Sequence, residues 1–324
     1  MHDQQRSKRV KPSRKQTPSN GDGLSSVLHV EIVMKNVLTG IDIQDLDRFL
    51  SVCCAMRGFR WCFQEAELWT DLMQLHFGGR EPTDTVSDDE DQGQVQPDCA
   101  LSDSASIRMA EIPWLQDGAE VCAEVLEYSR CANALRQFQE RVLVVRGDIG
   151  TIVEVGGKRI DALAFPTHPF LNNPHTGAAR FIFRRAGAQL DAHIEELTDV
   201  ILQIGEAYVT PGFDAGVRVL IHCHGPSAGD PQCLARLGST YKSVLQAAKE
   251  ENVACLAMTS ISTGNFGVPA ADGARVGMSA IAKFLRFSAW EGSVAVVCFE
   301  TDLLYAFREE RQRVLEAFNC LSIY

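Results

Sequence analysis

Beyond about residue 136, short apolar runs alternate with longer amphipathic ones. The apolar runs fall at Val142–Val145, Ile160–Phe165, Ala207–Thr210, Val217–His222, Ala254–Thr259 and Val294–Phe299. Short and largely continuous in hydrophobicity, with β-branched residues in most of them, they read as buried strands. Between several of them the period lengthens to that of a helix. Asp230-Pro231 opens a run whose apolar face is Leu234, Leu237, Tyr241, Val244 and Ala248. Pro269 opens another with Val276, Ala280 and Phe284, and Asp302 caps a last one with Leu303, Phe307, Val314 and Phe318. A helical pattern from Ile112 to Gln139 (Val121, Val125, Leu126, Leu135, Phe138) leads in. Strands alternating with helices predict a three-layer α/β/α domain with a mixed, largely parallel sheet over residues 111–324, its core from 136. Strand-to-helix loops then gather at one sheet edge, where ligands bind in such folds.

The first third of the chain has a different texture. Residues 24–77 carry apolar positions at helical spacing (Leu28, Ile32, Val33; then Leu46, Phe49, Leu50, Cys53; then Leu68, Trp69, Leu72), a small all-α module with little core of its own. Residues 1–23 are polar and basic, with Arg6, Lys8, Arg9, Lys11, Arg14 and Lys15 among Ser, Pro and Gln; this reads as a disordered tail, either inert or a nuclear-import or weak polyanion-binding signal. Residues 78–110 read as an acidic linker, with Ser87 ahead of Asp88-Asp89-Glu90-Asp91 as a solvated spacer or a phosphorylation site.

Composition narrows the function classes. A net charge of −11 over 324 residues argues against bulk nucleic-acid binding. The 11 cysteines form no CxxC pair, so they read as reduced, buried thiols and not as a zinc site. No signal peptide and no apolar run of membrane-spanning length is recognised, which points to a nuclear or cytoplasmic protein with no membrane partner. No Ser-His-Asp or Cys-His arrangement and no paired carboxylates stand in a catalytic context.

The densest chemistry lies in Ala254–Pro269. A strand passes into Ser260-Ile261-Ser262-Thr263-Gly264-Asn265-Phe266-Gly267 and then into a helix. Glycines at 264 and 267 allow backbone N–H groups to converge at a helix mouth, a cradle for phosphate or diphosphate. Three further segments accompany it in order: Val145-Arg146-Gly147-Asp148-Ile149, Gly205-Glu206-Ala207-Tyr208-Val209-Thr210-Pro211-Gly212-Phe213, and Val219-Leu220-Ile221-His222 with Gly225-Pro226. Together these resemble the macro domain, an ADP-ribose-binding α/β module, over roughly residues 136–324. The resemblance implies that Asp148 accepts a hydrogen bond from the adenine amine, that Ile149 supplies a backbone N–H beside it, that Ser262, Thr263, Gly264, Asn265 and Phe266 wrap the diphosphate with Gly177 opposite, and that Phe299 stacks on adenine or else packs in the core. It implies ADP-ribose as ligand, and no cofactor or metal. His222 reads as a hydrogen-bonded core histidine.

Two departures bear on activity. Where many macro domains carry Asn-Ala-Ala-Asn, this chain has Asp161-Ala162-Leu163-Ala164, then Phe165-Pro166-Thr167-His168, with His168 in place of the asparagine that serves the distal ribose. Where the family has three consecutive glycines, it has His175-Thr176-Gly177-Ala178-Ala179-Arg180; only Gly177 survives, and His175 and Arg180 are the candidate side-chain donors to the same phosphate. Three outcomes follow: binding of ADP-ribose or an ADP-ribosylated protein without turnover, hydrolysis with His168 as a non-standard base, or a scaffold that no longer holds nucleotide. The N-terminal block resembles an F-box through Leu28, Glu31-Ile32-Val33, Asp45-Leu46, Val52-Cys53, Arg57 and Leu68-Trp69…Leu72, departing at His29. That likeness implies that residues 24–77 dock the adaptor subunit of a cullin ubiquitin ligase.

Overall fold

The computed structural model describes residues 33, 36–38, 40–41, 43–55, 57–79, 121–172, 175–197 and 199–319. The basic tail, the linker from residue 80 onward, and Leu28, Glu31 and Ile32 of the F-box resemblance lie outside the described residues.

Six strands form the central sheet: β1 (Val142–Arg146), β4 (Ala162–Pro166), β5 (Ala207–Pro211), β6 (Val219–Cys223), β7 (Cys255–Met258) and β8 (Ser293–Cys298). Their order is β1-β8-β7-β4-β6-β5. Every neighbouring pair is parallel except β5 with β6 at one edge. A two-stranded hairpin, β2 (Glu154–Val155) with β3 (Lys158–Arg159), stands apart. The mixed, largely parallel sheet expected from the sequence is the one observed.

Because side chains alternate along a strand, each strand feeds two cores. Ala162 and Ala164, Leu256 and Met258, and Val294 and Val296 face one layer; Leu163 and Phe165, Ala257, and Ala295 and Val297 face the other. The first layer holds α3 (Ala123–Arg141), α6 (Cys233–Glu250), α7 (Ala270–Phe287) and α8 (Thr301–Glu316), reached through residues such as Leu237, Val244, Ile281 and Phe307. The second holds α4 (Gly177–Ala186) and α5 (Ala188–Glu196), through Ile182, Phe183 and Leu190. Asp230 does not itself cap α6; its carboxylate accepts the N–H of Gln232, the residue just before the helix, at 2.9 Å. Glu300, not Asp302, occupies the position before α8.

Two N-terminal helices, α1 (Ile43–Ala55) and α2 (Ala66–Phe77), join the first layer. Trp69 is fully buried, donates its indole N–H to the Cys62 carbonyl, and meets Tyr128 of α3 edge-on at 5.1 Å. Phe77 packs on the same Tyr128 ring, also at 5.1 Å. The Asn319 N–H donates to the Phe77 carbonyl, and its side-chain amide donates to that of Gly79. The expectation of an adaptor-docking module gains no support: Leu68, Trp69 and Leu72 are buried inside the chain's own core, against α3 and the end of α8, while Val33 and Val52 of the same likeness are exposed. Burying such side chains removes them from water at a gain of roughly 1.5–3 kcal/mol each, which gives the helices their place without a partner.

Candidate functional site

Strands β1, β8, β7 and β4 lie side by side and end at one edge. The loops that follow them surround a cavity of about 430 Å³. Three strand spacings separate the first loop from the last, about 14 Å at about 4.8 Å each. Most of the site residues singled out in the sequence line this cavity: Asp148 and Ile149 after β1, Phe299 after β8, Ser262 to Phe266 after β7, His168 after β4, and Gly177 at the mouth of α4.

The β1 loop is bolted down from below. The Asp148 Oδ1 accepts the Gly150 N–H at 2.8 Å, which leaves Oδ2 for another donor. Arg185 of α4 donates to the carbonyls of Ile149 (3.1 Å), Ile152 (2.8 Å) and Ala215 (2.6 Å). Burial lowers the Arg185 pKa, and the nearby Asp148 charge works against that. The Ile149 side chain is buried, while its backbone N–H has no acceptor among the described residues. Phe299 is 71% exposed, so its ring stands free at the cavity rim and is not a core residue.

The β7 loop turns differently from expectation. Left-handed backbone occurs at Ser262 (φ 64°) and Gly267 (φ 72°), not at Gly264. A Cβ at Gly264 would meet open space, so the glycine there serves neither a turn nor a contact in the free protein. The loop is closed by Val268 N–H to Ser262 O at 3.0 Å and Gly267 N–H to Gly264 O at 2.9 Å. The N–H groups of Thr263, Gly264, Asn265 and Phe266 have no acceptor among the described residues. Facing them is the start of α4, where Thr176, Gly177 and Ala178 line the cavity. No side chain caps that helix. The Thr176 hydroxyl instead accepts from the Asn265 amide at 3.2 Å. Gly177 has φ 56°, which a side chain would strain. The open first-turn N–H groups and the helix dipole favour an anion here.

Three buried hydroxyls complete the site, two of them missed in the sequence. Thr167 after β4, Thr259 after β7 and Ser262 all line the cavity, and none of their oxygens has a partner among the described residues. A buried hydroxyl left so costs roughly 1–3 kcal/mol, so their partners belong to whatever fills the cavity. The available signal was positional: each threonine is the first polar residue after a strand that ends at this edge. Phe181 of α4 also lines the cavity, and nothing in the sequence singled it out.

His168 is exposed in the cavity, stacked on Phe170 at 5.4 Å, and its Nδ1 accepts the Phe170 N–H at 3.4 Å. With Nδ1 engaged by its own loop, Nε2 is the ring nitrogen left for a ligand. Asp161 is occupied elsewhere, accepting the N–H groups of Ala254 (3.0 Å) and Cys255 (2.7 Å). His175 and Arg180 line a separate groove outside α4 and do not reach this cavity's lining. His222 is a core histidine as expected: wholly buried, 3.0 Å from the Thr210 hydroxyl through Nε2, with its pKa pushed down to about 3 by burial and then by the His193 charge.

Residues 170–277 match the family model described as the Macro domain. An O-acetyl-ADP-ribose deacetylase of Salmonella gallinarum is 31% identical over 172 residues, which are 51% of this chain and 92% of that protein. The chain belongs to the macro domain family. A Klebsiella pneumoniae protein of the same description is 30% identical over 173 residues, covering 51% of this chain and 93% of its own. Among solved structures, the Oceanobacillus iheyensis macrodomain with ADP is similar at 25% identity and a TM-score of 0.48, over 53% of this chain and 90% of that one. The macro domain here thus accounts for the α/β part, with an acid, an aromatic rim, two sets of open N–H donors and a histidine spread along one edge.

Proposed function

We propose that the cavity binds ADP-ribose, free or attached to a protein. Asp148 takes the adenine amine and the Ile149 N–H an adenine ring nitrogen, with Phe299 against the base. The N–H groups of Thr263 to Phe266 and those at the start of α4 hold the diphosphate from two sides. His168 donates to the distal ribose. The observation that carries this reading is the convergence of open donors, with the unpartnered Thr167, Thr259 and Ser262 hydroxyls, in one cavity whose span suits a nucleoside diphosphate sugar. Calorimetric titration with ADP-ribose tests it. Wild type should give saturable heat, and Asp148→Ala should bind about 10- to 100-fold more weakly, the worth of one hydrogen bond to a charged acceptor. No heat at millimolar ligand would sink the proposal and leave a scaffold.

Relatives described as O-acetyl-ADP-ribose deacetylases make ester hydrolysis the second reading, and the presence of His168 in the cavity favours it. Release of acetate from O-acetyl-ADP-ribose, lost in His168→Ala while ADP-ribose still binds, would support hydrolysis.

A further inference from the structure

Along the outer face of α4 runs a second depression of about 430 Å³, reaching from His175 to the first residues of α5. Arg180, Arg184 and Gly187 fall on that face at helical spacing, with the buried Phe183 as floor and Asp191 at the far end. Arg180 and Arg184 are both exposed, one turn apart, where like charges repel. Neither has a carboxylate partner among the described residues, and Arg184 lies over the Phe181 ring at 5.7 Å. Arg185, their neighbour, is spent on three carbonyls. Two exposed guanidinium groups one turn apart make this face locally positive on a chain of net charge −11.

The groove begins where the nucleotide cavity stops. Thr176, Gly177 and Ala178 line the cavity, while His175 and Arg180, on either side of them, line the groove. In the proposed pose the distal ribose, which carries any attached protein, lies toward His168; His168 and Gly177 line the same cavity, and a chain leaving between them meets Arg180 within one helical turn of Gly177. Helix α4 rises about 15 Å over its 10 residues at about 1.5 Å each, room for about four residues of extended peptide at about 3.3 Å each.

We infer that this groove holds an acidic peptide, the stretch of a modified protein next to its ADP-ribosylated residue; this rests on the proposed function of the cavity. A polynucleotide suits the groove less well. Its lining offers no exposed Phe, Tyr or Trp ring for a base, Asp191 repels a phosphate at the far end, and the overall charge is negative. A peptide with carboxylates toward Arg180 and Arg184 and a donor toward Asp191 matches the sequence of charges.

The test compares four probes by fluorescence anisotropy on the full chain: ADP-ribosylated pentapeptides rich in Glu or in Gln, the unmodified Glu peptide, and a short single-stranded RNA. The Glu-rich conjugate should bind about tenfold more tightly than the Gln-rich one, the worth of two exposed ion pairs, and the margin should shrink with added salt. Arg180→Glu should abolish that margin without changing affinity for free ADP-ribose, and Arg180→Lys should keep it. Equal binding of the two conjugates, an unchanged margin in Arg180→Glu, or RNA binding more tightly than the Glu-rich conjugate overturns the groove. If free ADP-ribose does not bind, the proposed function fails, and the groove is judged on the unmodified peptide: weakened binding in Arg180→Glu supports it, equal or no binding overturns it.

Discussion

The Asn265 side-chain amide reaches across the cavity to the Thr176 hydroxyl, 3.2 Å away. This contact joins the β7 loop to the start of α4, the two elements whose open N–H groups face each other. It also keeps Thr176 from capping its own helix, so the helix end stays available to an anion. Asn265→Ala should weaken ADP-ribose about 3- to 10-fold, the worth of one hydrogen bond plus the lost preorganisation. The bond is exposed, so the unfolding midpoint should barely move. Thr176→Ala and the double variant complete a cycle; a coupling near zero in the binding free energies would mean that the bridge does not organise the site.

Phe299 separates binding from stability in the same way. Its ring is largely in water at the rim, so removing it costs the fold little. Against a bound adenine it should contribute roughly 1–3 kcal/mol, as aromatic stacking on a base does. Phe299→Ala is expected to weaken ADP-ribose about 10- to 100-fold with an unchanged thermal midpoint, and Phe299→Tyr to bind as wild type. Calorimetry with a parallel melting curve checks both. Loss of stability in Phe299→Ala would show that the ring packs on the protein after all.

His222 makes stability depend on pH. In the unfolded chain it takes up a proton as pH falls through about 6.5, while in the folded chain burial keeps it neutral down to about 3. Between those values the unfolded state binds more protons, so stability is full above pH 6.5 and falls as pH drops, by up to about 1.4 kcal/mol per unit. Urea unfolding at pH 7 and pH 5 should show this loss in wild type. In His222→Gln, already weaker at pH 7 because the glutamine replaces a ring packed on Phe165 and Phe183, the loss should be smaller. The same pH dependence in both proteins would assign it to other groups.

The sheet was legible because short, largely continuous apolar runs separated by helical patterns leave few alternatives; all six strands lie within two residues of their expected ends. The cavity was legible too, since parallel strands deliver their loops to one edge whatever the loops contain. What the residues hid was local backbone. Ser262 takes the left-handed turn that glycine rules assign to Gly264, because the turn is fixed by packing and not by preference: Gly225 approaches so closely that a Cβ there would sit 2.3 Å from the Ser262 Oγ. The start of helix α4 was hidden too: Gly177 enters it with φ 56°, and Thr176, at the capping position, makes no cap hydrogen bond. An apolar helical face, as at Leu68, Trp69 and Leu72, declares that it will be covered but not by what.

That cover makes the N-terminal helices part of one cooperative unit. Trp69 contacts Tyr128 of α3, and α3 also lies under β1, whose following loop carries Asp148. Trp69→Ala leaves a large cavity at the junction and removes the donor to the Cys62 carbonyl, a loss of roughly 3–5 kcal/mol. Melting of the full chain should therefore remain a single transition, shifted down in Trp69→Ala. A fragment beginning at residue 121 should expose the faces of Val125, Tyr128 and Cys131, bind a hydrophobic dye and melt lower than the intact chain. Two separate transitions in wild type, or a fragment as stable as the whole, would show instead that the helices are an independent module.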